Sequence, residues 1–540
     1  MRYSTGYKEA NPMLSTVYAP ALLGVQGQLV TIECDITNGL PGLVIVGLGD
    51  KAVEEARERV RSAIKNSGFT LPAKRITLNL SPADLPKDGS GYDLGMALAI
   101  LCASGQLSQH LIDDAVVLGE LSLNGTINTT RGALIAASLA QTHGLRRLYI
   151  PQANADEAAV IEDVKVFAVL SLVELFRHLN GHAPLSAIKA SPSNHQPTLP
   201  DMPDFSQIYA QHRAKRAVEI AAAGGHNLLM YGPPGAGKTL LAKALLKLLP
   251  PLTTQEAIDI TKIYSLIDSS TPGLVTQRPF RAPHHTASSV AMIGGGSRPR
   301  PGEISLSHHG VLLLDEMPEF PRPVLEVLRQ PLEEGTITIA RAAHTLSFPA
   351  QFMLVGTANP CPCGYLGDTS LKCQCQPGAI RQYQQRLSGP LLDRIDLVTE
   401  VQRVHTADVV HSQSPEPSSS VAVRVAQARA IQYQRHSAGR LNAHLSNDEI
   451  KIYCKLNNEI LHFAEAAVTN LGLSARGYLK CLRVARTIAD LDGSPEIRLE
   501  HFTESLQYRP LTQADPSRAS QRFLNAKPAV NRLTELRVPE

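Results

Sequence analysis

The sequence predicts an α/β protein: two successive α/β domains, then an all-helical one. Three observations carry this. β-rich runs alternate with helical patterns over residues 14–180, and again from Phe205 to about Val401. A stretch rich in Pro, Ser and Asn divides the two. Residues 421–508 contain helical patterns alone. The length of 540 residues suits roughly three or four domains of typical size. Hydrophobic residues at 43% and charged ones at 19% are ordinary for a globular chain with real cores. The net charge of +3 implies no partner by itself. The opening MRYSTGYKEANPML lacks the apolar core of a signal peptide, and no run approaches the ~18 apolar residues of a membrane span. The expectation is a cytoplasmic protein with no membrane partner.

In order, residues 1–182 form the first domain, with strand patterns LVTIECDI, GLVIVGLG, RITLNLSP and AVVLGELSL between helical ones such as KAVEEARERVRSAIKNSG. Residues 183–204 read as a linker. Residues 205–405 form the second domain, whose short apolar runs HNLLMYG, GVLLLDE, QFMLVGTANP and DLVTEV have the pattern of buried parallel strands. After the polar HSQSPEPSSS, residues 421–510 are helical, and 511–540 are a polar tail.

The second domain carries the chemistry. Gly232, Pro233, Pro234, Gly235, Ala236, Gly237, Lys238 and Thr239 fit G-x-x-x-x-G-K-[ST] between the strand NLLMY and the helix LLAKALLKLL. Backbone N–H groups of such a loop cradle phosphate oxygens, aided by the helix N-terminus. The pattern therefore predicts ATP binding, with Lys238 on the β/γ-phosphates and Thr239 on Mg²⁺. VLLLDE ends an apolar strand in two acids, where Asp315 can hold Mg²⁺ and Glu316 can polarise the attacking water.

These motifs resemble those of the AAA+ ATPases, and the resemblance implies further roles. QFMLVGTANP is similar to a sensor-1 strand, with Asn359 reaching the γ-phosphate and water. GPLLDRIDL is similar to the segment that carries an arginine finger, here Arg394, acting on a neighbouring subunit's ATP. Arg476 in SARGYL matches the sensor-2 position. RPFRAPHH, IGGGSRPRPGEISLSHHGVLLLDE, TANPCPCG and NGLPGLVIVGLGDKAVEEARERVRSAI narrow the likeness to the magnesium-chelatase-like family that includes ComM and YifB. That resemblance implies an AAA+ core with a helix-2 insert and a C-terminal all-α lid. For the ComM group it implies a homo-hexameric DNA helicase or translocase promoting branch migration in natural transformation. Single-stranded and branched DNA would be bound regardless of sequence, ATP and DNA would promote ring assembly, and recombination proteins would be further partners. The alternatives are a chelatase-type subunit inserting Mg²⁺ into a porphyrin and, less well supported, an ATP-dependent protease.

The protease reading arises because the first domain resembles the Lon protease domain, a ribosomal S5-like α/β fold with a Ser–Lys dyad. The run matching its nucleophile segment is Pro86-Lys87-Asp88-Gly89-Ser90-Gly91, so the nucleophile position falls on Gly91, with Ser90 one residue early. Stepping along from GELSLNG places the base at Leu134. A serine without its base is a weak nucleophile. The expectation is a Lon-like fold without proteolysis, Lys87 being displaced from the base position.

Arg278, Arg281, His284, His285, Arg298 and Arg300 lie in a window, 269–302, without Asp or Glu. Such a basic, Gly- and Pro-broken segment suits sequence-independent phosphate contact. A second candidate for DNA is the hairpin pattern TITIARAAHTLSFP, with Arg341 and His344 near its tip. Finally, Cys361, Cys363, Cys373 and Cys375 place four of the eight cysteines within one loop, 361–375. Four thiolates suit a structural, tetrahedral Zn²⁺ with no open position for catalysis. An iron–sulfur cluster is the alternative. Cys34, Cys102, Cys454 and Cys481 read as reduced core residues.

Overall fold

The computed structural model describes residues 14–47, 51–85, 87, 89–189, 202–267, 274–296, 300–340, 345–368, 370–404, 415–436 and 440–509. The first domain is a seven-stranded sheet of β1 (Leu14–Leu23), β2 (Gln26–Thr37), β3 (Gly42–Val46), β4 (Arg75–Ser81), β5 (Ala115–Val117), β6 (Arg147–Pro151) and β7 (Lys165–Val169). Its order is β3-β4-β2-β1-β5-β6-β7. β2 runs antiparallel to both β1 and β4, and the remaining pairs are parallel. Strict alternation shows in β4, where Ile76, Leu78 and Leu80 are buried and their neighbours are not. The helix Asp93–Ala103 is apolar nearly all round and is buried along its whole length.

The second domain is a parallel five-stranded sheet of β8 (Leu228–Tyr231), β9 (Phe280–Arg281), β10 (Val311–Leu314), β11 (Met353–Ala358) and β12 (Leu397–Glu400), in the order β9-β10-β11-β8-β12. Every residue of β8, β10 and β11 is buried, which is why these strands read as unbroken apolar runs. The register pairs Leu314 with Gly356 and Tyr231 with Ala358, so the ends of β8, β10 and β11 lie side by side. That edge of strand C-termini is where ligands bind in open α/β sheets. The hairpin expected at 336–349 is present as Thr336–Ala340 paired with Thr345–Pro349.

The third domain contains helices Ser418–Arg435, Asn447–Tyr453, Asn458–Leu471, Ala475–Leu491 and Leu499–Leu506. Ser446, Asn457 and Ser474 each accept a hydrogen bond from the first helical turn that they cap. The domain is joined to the second by apolar contact, with Val425 and Ala428 in one core with Ile220 and Leu245. Buried charges join them too: Arg429 donates twice to the Ala222 carbonyl, at 2.9 and 2.7 Å.

The linker is more ordered at its ends than its composition suggests. Ile188 bridges to Val166 in β7, Met202 is buried, and Asp204 accepts from the Ser206 and Ser418 amides. Residues 190–201, the Pro- and Ser-rich middle, lie outside the described residues. Among the described residues no helix is long and apolar enough to cross a membrane.

Candidate active site

The loop after β8 leads into the helix Lys238–Ala244, with Gly237 at φ 91°, a conformation that a residue with a Cβ rarely adopts. Lys238 is buried, and its Nζ donates to the carbonyls of Gly232 (2.7 Å) and Pro233 (2.9 Å) and to Asn359 Oδ1 (3.0 Å). Burial lowers its pKa to about 8, although Asp315 and Glu316 pull the other way. A charge so poorly solvated by the protein gains strongly from an anion placed beside it.

Asp315 and Glu316 follow β10. Thr239 Oγ1 lies 3.2 and 3.1 Å from the two Asp315 oxygens. A hydroxyl beside a carboxylate is a hard-oxygen set, and it fits Mg²⁺. Glu316 is exposed at the strand end, in the left-handed region at φ 53° and ψ 47°. Asn359, Lys238, Thr239, Asp315 and Glu316 are thus brought together as expected, with Pro233, Pro234, Gly235 and Ala236 forming the loop around them.

Arg394 and Arg476 are gathered elsewhere. Arg394 Nη2 pairs with Glu333 at 2.7 Å, and its other nitrogens donate to the carbonyls of Arg329 (3.1 Å) and Pro390 (2.7 Å). Arg476 Nη1 reaches the same Glu333 at 3.5 Å and is exposed. Sequence reasoning missed Glu333, which carries no motif.

The four cysteines converge. Sγ of Cys361 is 3.4 Å from Cys363 and 3.7 Å from Cys373, Cys363 is 3.6 Å from Cys373, and all four sulfurs lie within 4.8 Å of one another. A tetrahedral ion with metal–sulfur bonds of ~2.3 Å needs sulfur–sulfur edges of about 3.8 Å. The group therefore fits one metal ion. Burial and Cys363 push the Cys361 thiol up to about 12, while the amides of Tyr365 and Gln374 bring Cys363 down to about 6 against its own desolvation. The loop also touches the nucleotide loop, which its sequence did not suggest. A Cβ on Gly364, at φ 83°, would meet Pro234 Cδ at 2.5 Å.

The candidate DNA contacts divide. Arg278 is a structural residue, its side chain 8% exposed and bonded to Glu256 (3.1 and 3.0 Å) and to the carbonyls of Pro250 (2.7 Å) and His309 (2.8 Å). Arg281 makes a bidentate pair with Glu303 at 2.6 and 2.7 Å. Both side chains are thus committed to acids outside the acid-free window, Glu303 directly after it and Glu256 on the preceding helix. Arg300 is exposed on a short strand paired with Gly294–Gly295, and His284 is exposed beside His285. Arg298, Arg341 and His344 lie outside the described residues.

In the first domain, Ser90 Oγ donates to the Glu120 carboxylate and Lys87 Nζ to the Pro82 carbonyl, so neither serves the other. Leu134 is fully buried, and a Cβ at Gly91 would come within 2.8 Å of Leu118 Cδ1. The dyad positions are occupied by packing.

Three family descriptions match in sequence: subunit ChlI of magnesium chelatase over residues 32–154, magnesium chelatase subunit ChlI over 204–409, and the ChlI C-terminal region over 415–509. The competence protein ComM of Haemophilus influenzae is 45% identical over 511 residues, covering 93% of this chain and 98% of that one. The uncharacterized protein YifB of Escherichia coli is 44% identical over 499 residues, covering 92% and 97%. A Lon protease of Mycolicibacterium smegmatis is 32% identical over 140 residues, 25% of this chain and 18% of its own. With such identity along almost its whole length, the chain belongs to the magnesium-chelatase-like AAA+ family that includes ComM and YifB.

Proposed function

We propose that this chain is an ATP-driven DNA translocase that works as a homo-hexameric ring and promotes branch migration during natural transformation. The observation that carries the reading is the joining of Lys238, Thr239, Asp315 and Asn359 in one bonded site while Arg394 sits apart on Glu333. A site whose described bonds include no arginine, in a chain that holds Arg394 on Glu333, is suited to sharing between subunits. Likeness to a competence protein over 93% of the chain supports the DNA role.

In this reading Lys238 neutralises the terminal phosphates, Thr239 and Asp315 hold Mg²⁺, and Glu316 orients water in line with the γ-phosphate. Bound Mg²⁺ supplies charge neutralisation on the phosphate oxygens. Asn359 ties the water side of the site to Lys238. Arg394 of a neighbouring subunit offsets charge that grows in the transition state. Arg300 and His284, both exposed, are among the described candidates for contact with a DNA backbone. The Cys₄ loop holds Zn²⁺ as a structural ion.

The test is ATPase activity of the purified chain with single-stranded, duplex and four-way junction DNA, with junction migration scored on gels. Stimulation by DNA with ATP-dependent migration is expected. An ATPase indifferent to all three substrates would overturn the reading. The matches to magnesium chelatase favour metal insertion as the second reading, which predicts ATP-dependent Mg-porphyrin formation instead.

A further inference from the structure

Thr357 stands in β11, two residues before Asn359, and its side chain is fully buried among strands that are otherwise apolar. Its hydroxyl makes two bonds of opposite sense. Oγ1 donates to Asp315 Oδ1 at 2.5 Å and accepts the Glu316 backbone N–H at 2.9 Å. One oxygen thus touches both members of the acidic pair.

The register explains how. β10 and β11 run parallel with Leu314 opposite Gly356, so the next residue along β11 faces the next residues along β10. Asp315 and Glu316 leave the sheet there, and Glu316 turns into the left-handed region at φ 53° and ψ 47°. That backbone costs energy for any residue with a Cβ, and it persists only where surrounding bonds enforce it. The Glu316 amide is bound by Thr357, and the Glu316 carbonyl accepts from the Glu319 amide at 2.7 Å. The turn that aims the Glu316 side chain outward is therefore held at both ends. The bond to Asp315 fixes the rotation of that carboxylate while Thr239 lies against its two oxygens. A hydroxyl can donate and accept at once, whereas valine, of the same shape, can do neither.

We propose that Thr357 is a positioning residue for hydrolysis, orienting the metal-holding Asp315 and the water-activating Glu316 through a single hydroxyl. The proposal rests on the assignment of ATP hydrolysis to this site. Thr357 is fully buried behind the acidic pair, so its effect falls on turnover and on the metal requirement and leaves nucleotide affinity nearly unchanged.

The experiment compares wild type, Thr357→Val and Thr357→Ser as full-length chains. It measures kcat, KM, the Mg²⁺ concentration for half-maximal rate, and binding of a fluorescent ADP analogue without turnover. Thr357→Val is expected to lower kcat about a hundredfold, with KM and ADP affinity within about threefold, because water activation is lost and binding is kept. Its Mg²⁺ midpoint should rise several-fold, roughly three to ten, and Thr357→Ser should recover kcat to within about threefold of wild type. In a Glu316→Gln background, Thr357→Val should slow turnover by less than about threefold, since both act through one group. Wild-type kcat and Mg²⁺ midpoint in Thr357→Val would overturn the proposal. Equal impairment of the Val and Ser variants would also overturn it, assigning the effect to packing. A wild-type chain that binds nucleotide but never hydrolyses it would instead sink the ATPase reading.

Discussion

Lys480→Met tests how the third domain is fastened to the second. Lys480, on the helix Ala475–Leu491, places Nζ 2.7 Å from Asp396, and the two side chains are 12% and 8% exposed. Asp396 also accepts the Asn227 amide at 3.0 Å and lies 3.7 Å from His226 Nδ1. Burial would raise its pKa, yet Lys480 and His226 hold the carboxyl below the usual carboxylate range. Methionine keeps the length of the side chain but leaves a buried carboxylate without its cation. Removing one partner of such a pair costs about 3–5 kcal/mol, far more than the ~0–1 kcal/mol of an exposed pair. Because the carboxyl is held low, its contribution is present above the unfolded carboxylate pKa of ~3.9 and is lost as pH falls. The gap between variant and wild type should therefore be widest near neutrality and should narrow progressively below about pH 4, as the pH falls towards the depressed folded pKa. Urea unfolding at several pH values, followed by circular dichroism, measures it. The double variant Asp396→Asn/Lys480→Met should recover part of the loss, as no buried charge is stranded. A Lys480→Met chain within about 1 kcal/mol of wild type at pH 7 would refute the reasoning, since that is the range of surface pairs.

The remaining expectations are shorter. Glu316→Gln should bind ATP normally and turn it over at least about a hundredfold more slowly, and near-normal turnover in a phosphate-release assay would remove its assigned role. Arg394→Ala and Lys238→Ala chains, each inactive alone, should recover part of the hydrolysis when mixed; co-assembled mixtures that recover none would end the trans role of Arg394. Ser90→Ala should leave ATPase and DNA activities as they are, and ATP-dependent peptide products that vanish in this variant would show that the first domain is a protease after all. Wild-type chain should carry about one Zn²⁺ by elemental analysis, and Cys373→Ser/Cys375→Ser should release it and lower the melting temperature. Since Gly364 packs on Pro234, that variant should also bind nucleotide more weakly, and unchanged affinity would show the two loops to be independent.

What was legible in the sequence was what is local. The loop 232–239 announces itself because a strand, a Gly-rich turn and a helix N-terminus follow one another along the chain, and the structure places Lys238 and Asn359 together. The cysteines could be grouped for the same reason, by spacing within one loop. Reasoning failed where a partner lies outside the window being read. Arg278 and Arg281 looked like free cations because their partners lie outside the acid-free segment, Glu303 directly after it and Glu256 on the helix before it. Glu333, which holds Arg394 and Arg476, is one acid among many on a short helix and has no distinguishing neighbours. Thr357 looked like an ordinary β-branched strand residue, and only the register of β10 with β11 gives it two polar partners.

One short segment connects these features. Thr357 lies in β11, Asn359 just past its end and Cys361 in the bend that follows. Thr357 bonds Asp315, Asn359 bonds Lys238, and Cys361 belongs to the sulfur cluster. The chain then folds back through Gly364 onto Pro234, and Gln384 donates to the Pro360 carbonyl at 3.0 Å from the other side. A metal closing the cysteine loop would hold the bend that follows β11. The sulfur cluster and the Lys238–Asn359 bond therefore stand two residues apart on one segment, so a displacement of Cys361 is expected to reach Asn359 before any other polar group of the site.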